Sequence, residues 1–172
     1  MKRKKMLGDI DSKECKAMMR LMETQSEKTV SHWAIHYAKD NYLPIFQKRC
    51  EDLRIKNLIS KAQQYQKDPS LKKSFQQDLK EARIWAAKQE DFIVFLSAKA
   101  ILTACASLIT ITNAFGFLFY GCAATIYERE ENQQMVECEE QAIQQEWQKA
   151  IDSFGKVAVT EEMHPAHWKW NC

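Results

Sequence analysis

Apolar residues recur every three to four positions along most of this chain, and that spacing predicts a succession of amphipathic α-helices. Asp11 or Ser12 can cap a first helix that runs to about Thr24. A second helix is expected over residues 30–46. Pro44 near its end should kink or close this helix, because proline removes a backbone donor.

The next two helix starts are marked by acidic residues whose carboxylates can accept hydrogen bonds from a helix N-terminus. Asp52 can cap a helix over residues 53–65. Asp68 followed by Pro69 marks the start of another helix, which should run to about Lys88. These signals predict an all-α fold, a single-domain bundle of about six helices.

The segment from Ala100 to Tyr127 contains 28 residues without a single charge. A helix that is apolar all round is either the centre of a bundle or a membrane span. Thr112 and Asn113 interrupt the segment with residues that favour the end of one helix and the cap of the next. Divided there, each half is too short to cross a bilayer, which favours a buried central helical hairpin.

After this segment the chain becomes acidic, and a single amphipathic helix is expected over residues 128–154. Eight Asp and Glu residues against Arg129 and Lys149 give this stretch a net charge of −6. Gly155 is a natural stop for the helix. We therefore expect a bundle domain over residues 11–155, preceded by a basic, flexible segment over residues 1–10 and followed by an irregular tail over residues 156–172.

The composition is that of an ordinary globular domain, with 172 residues, 45% apolar and 28% charged. The net charge of +2 does not favour nucleic acid as a partner. The six cysteines show no CxxC spacing, and no apolar signal peptide follows the basic start. Reduced thiols in the cytoplasm are the simplest interpretation.

Candidate chemistry is sparse. His32 and His36 share one helix face, but position 33 is Trp rather than the Glu of a zinc protease motif. His164, His167 and Cys172 do not match zinc spacings and are interpreted as part of a tail that packs on the body. No phosphate loop or nucleophile turn occurs in the sequence. We therefore expect no catalytic residue, no metal, no cofactor and no enzymatic activity.

Between Ser31 and Tyr127, several modest motifs follow one another in a fixed order. Their order and spacing resemble a family of small all-helical immunity proteins, the fifth numbered immunity class of bacterial polymorphic toxin systems. The motifs are Trp33-Ala34 with Tyr37-Ala38, Leu43-Pro44-Ile45-Phe46, Asp52-Leu53-Arg54 with Tyr65, Ala82-Arg83 with Ala86-Ala87, and the uncharged segment with Asn113 and Tyr120. The sequence departs from the family pattern in lacking a proline before Asp52 and in having Ile55 where a second proline is common.

The resemblance implies a protein that binds and neutralises a cognate toxin, with the uncharged segment as a buried hairpin. It implies that Asp52 and Arg54 cap and brace a helix rather than catalyse a reaction. The residues assigned a structural role are Trp33, Pro44, Asp52, Arg54, Arg83 and Asn113.

For the partner-binding surface we predict the acidic helix, because charge complementarity to a basic toxin would speed association. Its candidate residues are Glu131, Glu137, Glu139, Glu140 and Glu146. The alternative is a single-pass membrane protein with Ala100 to Tyr127 as the span. Lysines and arginines precede that segment, and the acidic stretch follows it, as the positive-inside bias requires.

Overall fold

The computed structural model describes residues 3–135 and 137–170. These residues form an all-α fold, and no strand occurs among them. Seven of the helices in this part of the chain are longer than ten residues, and one short helix lies between the second and third of them. The helices are α1 Lys13–Glu23, α2 Glu27–Asn41, α3 Leu43–Gln47, α4 Arg54–Lys67, α5 Lys72–Ala86, α6 Phe92–Ala106, α7 Asn113–Glu131 and α8 Glu139–Gly155. The predicted all-α bundle is confirmed.

Side-chain caps fix several of the helix starts. Ser12 accepts a hydrogen bond from the backbone N–H of Cys15 at 3.1 Å, so it is Ser12 rather than Asp11 that caps α1. Asp91 caps α6 by accepting from the N–H groups of Ile93 and Val94. The Asp68-Pro69 signal opens a short 3-10 turn, Pro69–Leu71, which leads directly into α5.

Pro44 closes the second predicted helix. The helix expected over residues 30–46 is two helices in the structure, because α2 ends at Asn41 and Pro44 lies in the first turn of α3. Proline is tolerated in a first turn because the backbone N–H there has no intrahelical partner. The change of direction brings Phe46 into the core and positions the turn that carries Arg49.

The hairpin of α6 and α7 forms the centre of the bundle. Helix α6 contacts α2, α3, α4, α5 and α7, and both hairpin helices are buried over most of their circumference. The chain turns between Ala106 and Asn113, as the turn residues predict. The hairpin is longer than expected, since it starts at Phe92 and ends at Glu131. Among the described residues, no helix combines the length and the apolar character needed to cross a membrane.

A glycine on α7 lets the hairpin pack closely against the turn between α2 and α3. A Cβ atom placed on Gly121 would lie 2.0 Å from Cζ of Tyr42. Tyr42 is buried and meets Phe117 of α7 edge to face, with ring centroids 6.0 Å apart. The absence of a side chain at position 121 therefore fixes how near α7 can come to α2 and α3.

The described segments near the two termini, residues 3–10 and 156–170, pack on the bundle. Near the N-terminus, Leu7 is buried and its N–H donates to the carbonyl of Phe119 on α7 at 3.1 Å. Near the C-terminus, Trp168 donates its indole N–H to the carbonyl of Met22 on α1 at 3.2 Å. The tail contains no helix among residues 156–170 and contacts the bundle through Trp168 and Trp170.

Candidate partner-binding surface

The acidic stretch expected to form one helix is divided in the structure. Helix α7 continues to Glu131, and α8 starts at Glu139. Asn132 ends α7 by donating its side-chain N–H to the carbonyl of Glu128 at 2.8 Å, and Gln133 adopts a positive φ of 55°. The prediction of a single helix over residues 128–154 is therefore wrong, because this left-handed turn separates the acidic residues into two groups.

The first group lies at the C-terminal end of α7 and is engaged by arginines from other parts of the chain. Arg49 donates to Glu128 and to Glu131, each at 2.7 Å, and to Asp91 at 3.2 Å. Arg3 donates to the other carboxylate oxygen of Glu131 at 2.7 Å. These two hydrogen bonds lower the pKa of Glu131. The negative charge of Glu131 is therefore compensated by arginines of the same chain.

The second group lies before and within the first turn of α8. Glu137 is half-buried and accepts from Arg129 of α7. Glu139 and Glu140 are exposed, and neither forms a salt bridge or a side-chain hydrogen bond with the part of the chain that the structure describes. A groove of about 600 Å³ runs beside them, with Met6, Leu7 and Gly8 of the N-terminal segment on its other side.

Glu146 lies further along α8 and faces inward. Burial raises its pKa, because a low-dielectric environment disfavours the ionised carboxyl. Burial, followed by the influence of Glu146, raises the pKa of the Tyr37 hydroxyl and of the Cys122 thiol. The five acidic residues assigned from the sequence thus lie in three different environments. Glu131 is in an arginine network, Glu137 is paired and half-buried beside exposed Glu139 and Glu140, and Glu146 is half-buried further along α8.

The N-terminal segment, residues 3–10, contacts both helices that carry the acidic residues, α7 and α8. The backbone N–H of Lys4 donates to the hydroxyl of Tyr127 at 3.0 Å, and the carbonyl of Leu7 accepts from Trp147 of α8 at 3.4 Å. Gly8 has a φ of +134°, and a Cβ there would lie 2.6 Å from the indole nitrogen of Trp147. Sequence reasoning assigned these residues to a flexible terminus. The one signal pointing elsewhere was Leu7, an apolar residue next to a glycine.

Among the residues assigned a structural role, Trp33 and Asn113 bind other elements. Trp33 is buried on α2 and donates its indole N–H to Ser153 of α8 at 3.1 Å. Asn113 is the first residue of α7 and donates to the carbonyl of Ala106, the last residue of α6, at 3.4 Å. The first contact joins helices that are distant in sequence, and the second closes the turn between the two helices of the hairpin.

Three of the other structural residues lie at the start of α4 or near the end of α5: Asp52, Arg54 and Arg83. Asp52 accepts from the backbone N–H of Arg54 at 2.7 Å, and the two side chains also form a salt bridge at 3.6 Å. The guanidinium of Arg54 lies over the ring of Trp85 at 5.0 Å. Arg83 is exposed and forms no salt bridge or hydrogen bond through its side chain within residues 3–135 and 137–170.

The histidines considered as metal ligands lie in two places, on α2 and in the C-terminal tail. The rings of His32 and His36 lie 4.3 Å apart on a ridge of α2 between two open concavities of about 870 and 610 Å³. His164 and His167 are exposed in the tail, and Cys172 lies outside the described residues. Within the described ranges, no group of three or more His, Cys, Asp or Glu side chains is arranged to hold a metal ion.

These features define a small all-α bundle with a central apolar hairpin and charged surfaces at its outer helices. The chain belongs to the family described as "Imm-5 like putative immunity protein", whose model matches residues 20–152. The match extends beyond both ends of the region where the sequence motifs suggested the resemblance. No curated protein and no solved structure matches the chain significantly.

Proposed function

We propose that this protein binds a bacterial toxin through direct protein contact and thereby neutralises it. Membership of the immunity family over residues 20–152 is the observation that carries the proposal. The proposed mechanism is occlusion, in which the helical bundle covers the part of the toxin that acts on its target. Such a protein acts in the cytoplasm, in a one-to-one complex and without turnover.

The exposed acidic residues at the start of α8 support a specific contact surface within this proposal. Glu139 and Glu140 project from the first turn beside a groove and have no ionic partner in the described part of the chain. Unpaired surface carboxylates contribute little to folding, but they can steer a basic partner into place. Glu137 lies at the edge of this surface. Glu131 and Glu146 contribute less, since Glu131 is held by arginines and Glu146 is half-buried.

The test of the function is neutralisation of the toxin encoded beside this gene. Co-expression should restore growth to cells that produce the toxin, and the two purified proteins should form a stable complex. A toxin that remains fully active at a molar excess of this protein would contradict the proposal.

The test of the surface compares two double charge reversals. Glu139→Lys with Glu140→Lys should slow association with the toxin by about tenfold at low salt and less at high salt, because salt screens exposed charges. The control is Glu27→Lys with Glu51→Lys, which reverses the same number of exposed charges and also includes one at a helix start. Equal association rates for both variants would exclude the α8 surface.

A further inference from the structure

On the outward side of α6, three cations lie together with half-buried aromatic rings. Lys99 follows Phe92 and Phe95 on the same side of the helix, and the two phenyl rings are stacked with centroids 6.2 Å apart. Lys5 of the N-terminal segment lies with its Nζ 5.1 Å from the centroid of Phe95. Arg83 lies on α5, which packs against α6, and its positive charge acts on Lys99. We refer to Lys5, Arg83 and Lys99 as the cationic cluster.

The three cations influence one another electrostatically. Partial burial lowers the pKa of Lys99, and the positive charges of Arg83 and Lys5 lower it further. A half-buried ammonium with two like-charged neighbours is an unfavourable arrangement in the isolated protein. The ring of Phe95 offsets part of that repulsion through its contact with Lys5, because the face of an aromatic ring attracts a cation.

The cluster differs from three arginines of the neighbouring surface in having no acidic partner. Arg3, Arg49 and Arg129 each form a salt bridge with a glutamate at the end of α7 or in the loop that follows it. The three cluster residues form none with any carboxylate that the structure describes. Their positive charge is therefore available to a group from outside the chain.

The cationic cluster lies next to the acidic surface of α8. The N-terminal segment separates the two, with Lys5 over Phe95 on one side and Met6, Leu7 and Gly8 lining the groove beside Glu139 and Glu140 on the other. The groove is also lined by Asp9, Glu14, Lys4 and Lys13, so its four carboxylates outnumber its two cations. The surface around this segment is thus positive on one side and net negative on the other. An extended polyanion such as nucleic acid would be repelled by the negative half, whereas a folded protein can present both signs of charge.

We propose that the cationic cluster is the second half of the partner-binding surface and binds carboxylates of the same toxin. This inference rests on the proposed function. The partner would place acidic residues against Lys5, Arg83 and Lys99, and basic residues against Glu139 and Glu140. Two opposite patches in a fixed order specify the orientation of the partner, since the reversed orientation would bring like charges together.

The experiment measures association of the full chain with the toxin encoded beside its gene. Arg83→Glu with Lys99→Glu should slow association by about tenfold at low salt, and the loss should shrink as salt rises. The control, Lys67→Glu with Lys72→Glu, makes the same change in net charge at exposed positions near the turn between α4 and α5, and should change the rate less than about threefold. Arg83→Gln with Lys99→Gln gives a milder second test if the reversal fails to fold by circular dichroism.

The outcomes separate the inference from the function on which it rests. If the wild-type protein does not bind the toxin, the proposed function is overturned and the inference with it. If the wild type binds and both cluster variants associate as fast as the control, only the cationic cluster is excluded. Binding of a labelled RNA or DNA oligonucleotide that is lost in the cluster variants, with toxin binding unchanged, would overturn the inference in favour of a nucleic-acid partner.

Discussion

At the C-terminal end of α7, Glu128 and Glu131 contact Arg49, whereas at the N-terminal end of α8 the carboxylates of Glu139 and Glu140 face solvent. Both pairs come from one acidic stretch and have the same charge. The side chain of Glu128 is only 9% exposed, and its carboxylate is fixed by a residue from a distant part of the sequence.

The helix dipole explains much of this difference. The C-terminal end of a helix carries partial negative charge, so glutamates there are unfavourable unless a cation compensates them. Arg49 and Arg3 supply that compensation at the end of α7. The N-terminal end of a helix carries partial positive charge, so Glu139 and Glu140 are favoured without any ion pair. Like residues can therefore stabilise the fold in one place and be free for a partner in another.

Among the variants that test this difference, removal of Arg49 should have the largest effect on the free energy of unfolding. Arg49→Met leaves Glu128 buried without its main ionic partner, and we expect a loss of about 3 kcal/mol in the free energy of unfolding. Arg54→Met is the matched control, because Arg54 is more exposed and its salt bridge with Asp52 is long. The control should cost about 1 kcal/mol or less. Urea unfolding measures both values. Equal losses would show that the Arg49 ion pairs contribute no more to the free energy of unfolding than the exposed salt bridge of Arg54.

The pH dependence of stability should distinguish Glu131 from Glu146. The pKa of Glu131 is lowered by Arg3 and Arg49, so its contribution to stability is present above the ordinary carboxyl pKa of about 4.3 and is lost as pH falls through the folded pKa. The pKa of Glu146 is raised by burial, so its contribution is present below about 4.3 and is lost as pH rises through the folded pKa.

The matching glutamine variants test these two signs. Glu131→Gln should destabilise the protein at neutral pH, and Glu146→Gln should stabilise it there, because glutamine removes a half-buried charge. Both differences should disappear in acid, that of Glu146 as pH falls to about 4.3 and that of Glu131 only below it. Melting curves between about pH 2 and pH 7 measure them. If Glu146→Gln is destabilising at neutral pH, the carboxylate has a stabilising partner and its assigned environment is incorrect.

The smallest effect on folding is expected where the carboxylates are free. Glu139→Gln with Glu140→Gln should lower the free energy of unfolding by about 1 kcal/mol or less, through loss of the favourable interaction with the helix dipole. Thermal melting followed by circular dichroism measures it. A loss as large as that of Arg49→Met would mean that these residues hold the fold and would remove the difference between the two groups.

The sequence was sufficient for the elements whose signals are local. The caps at Ser12 and Asp68, the break at Pro44 and the turn before Asn113 each depend on residues within a few positions, so they are visible in the pattern. The sequence was less informative about burial within the uncharged segment. Leu108 is half-buried and Ile109 is exposed, because the hairpin turn lies at the surface although its residues are apolar.

Sequence alone determined that this chain forms helices and favoured a hairpin for its uncharged segment, since helical periodicity, turn residues and the loss of charge are properties of neighbouring residues. The structure decided between that hairpin and a membrane span. Only the tertiary structure decided which glutamates serve the fold and which remain free, because that depends on where Arg3 and Arg49 reach α7 from distant positions. It also decided that the positive charges of Lys5 and Arg83 act on Lys99, since the three residues come from the N-terminal segment, α5 and α6. Contacts between distant parts of a chain leave no periodic signal in a single sequence.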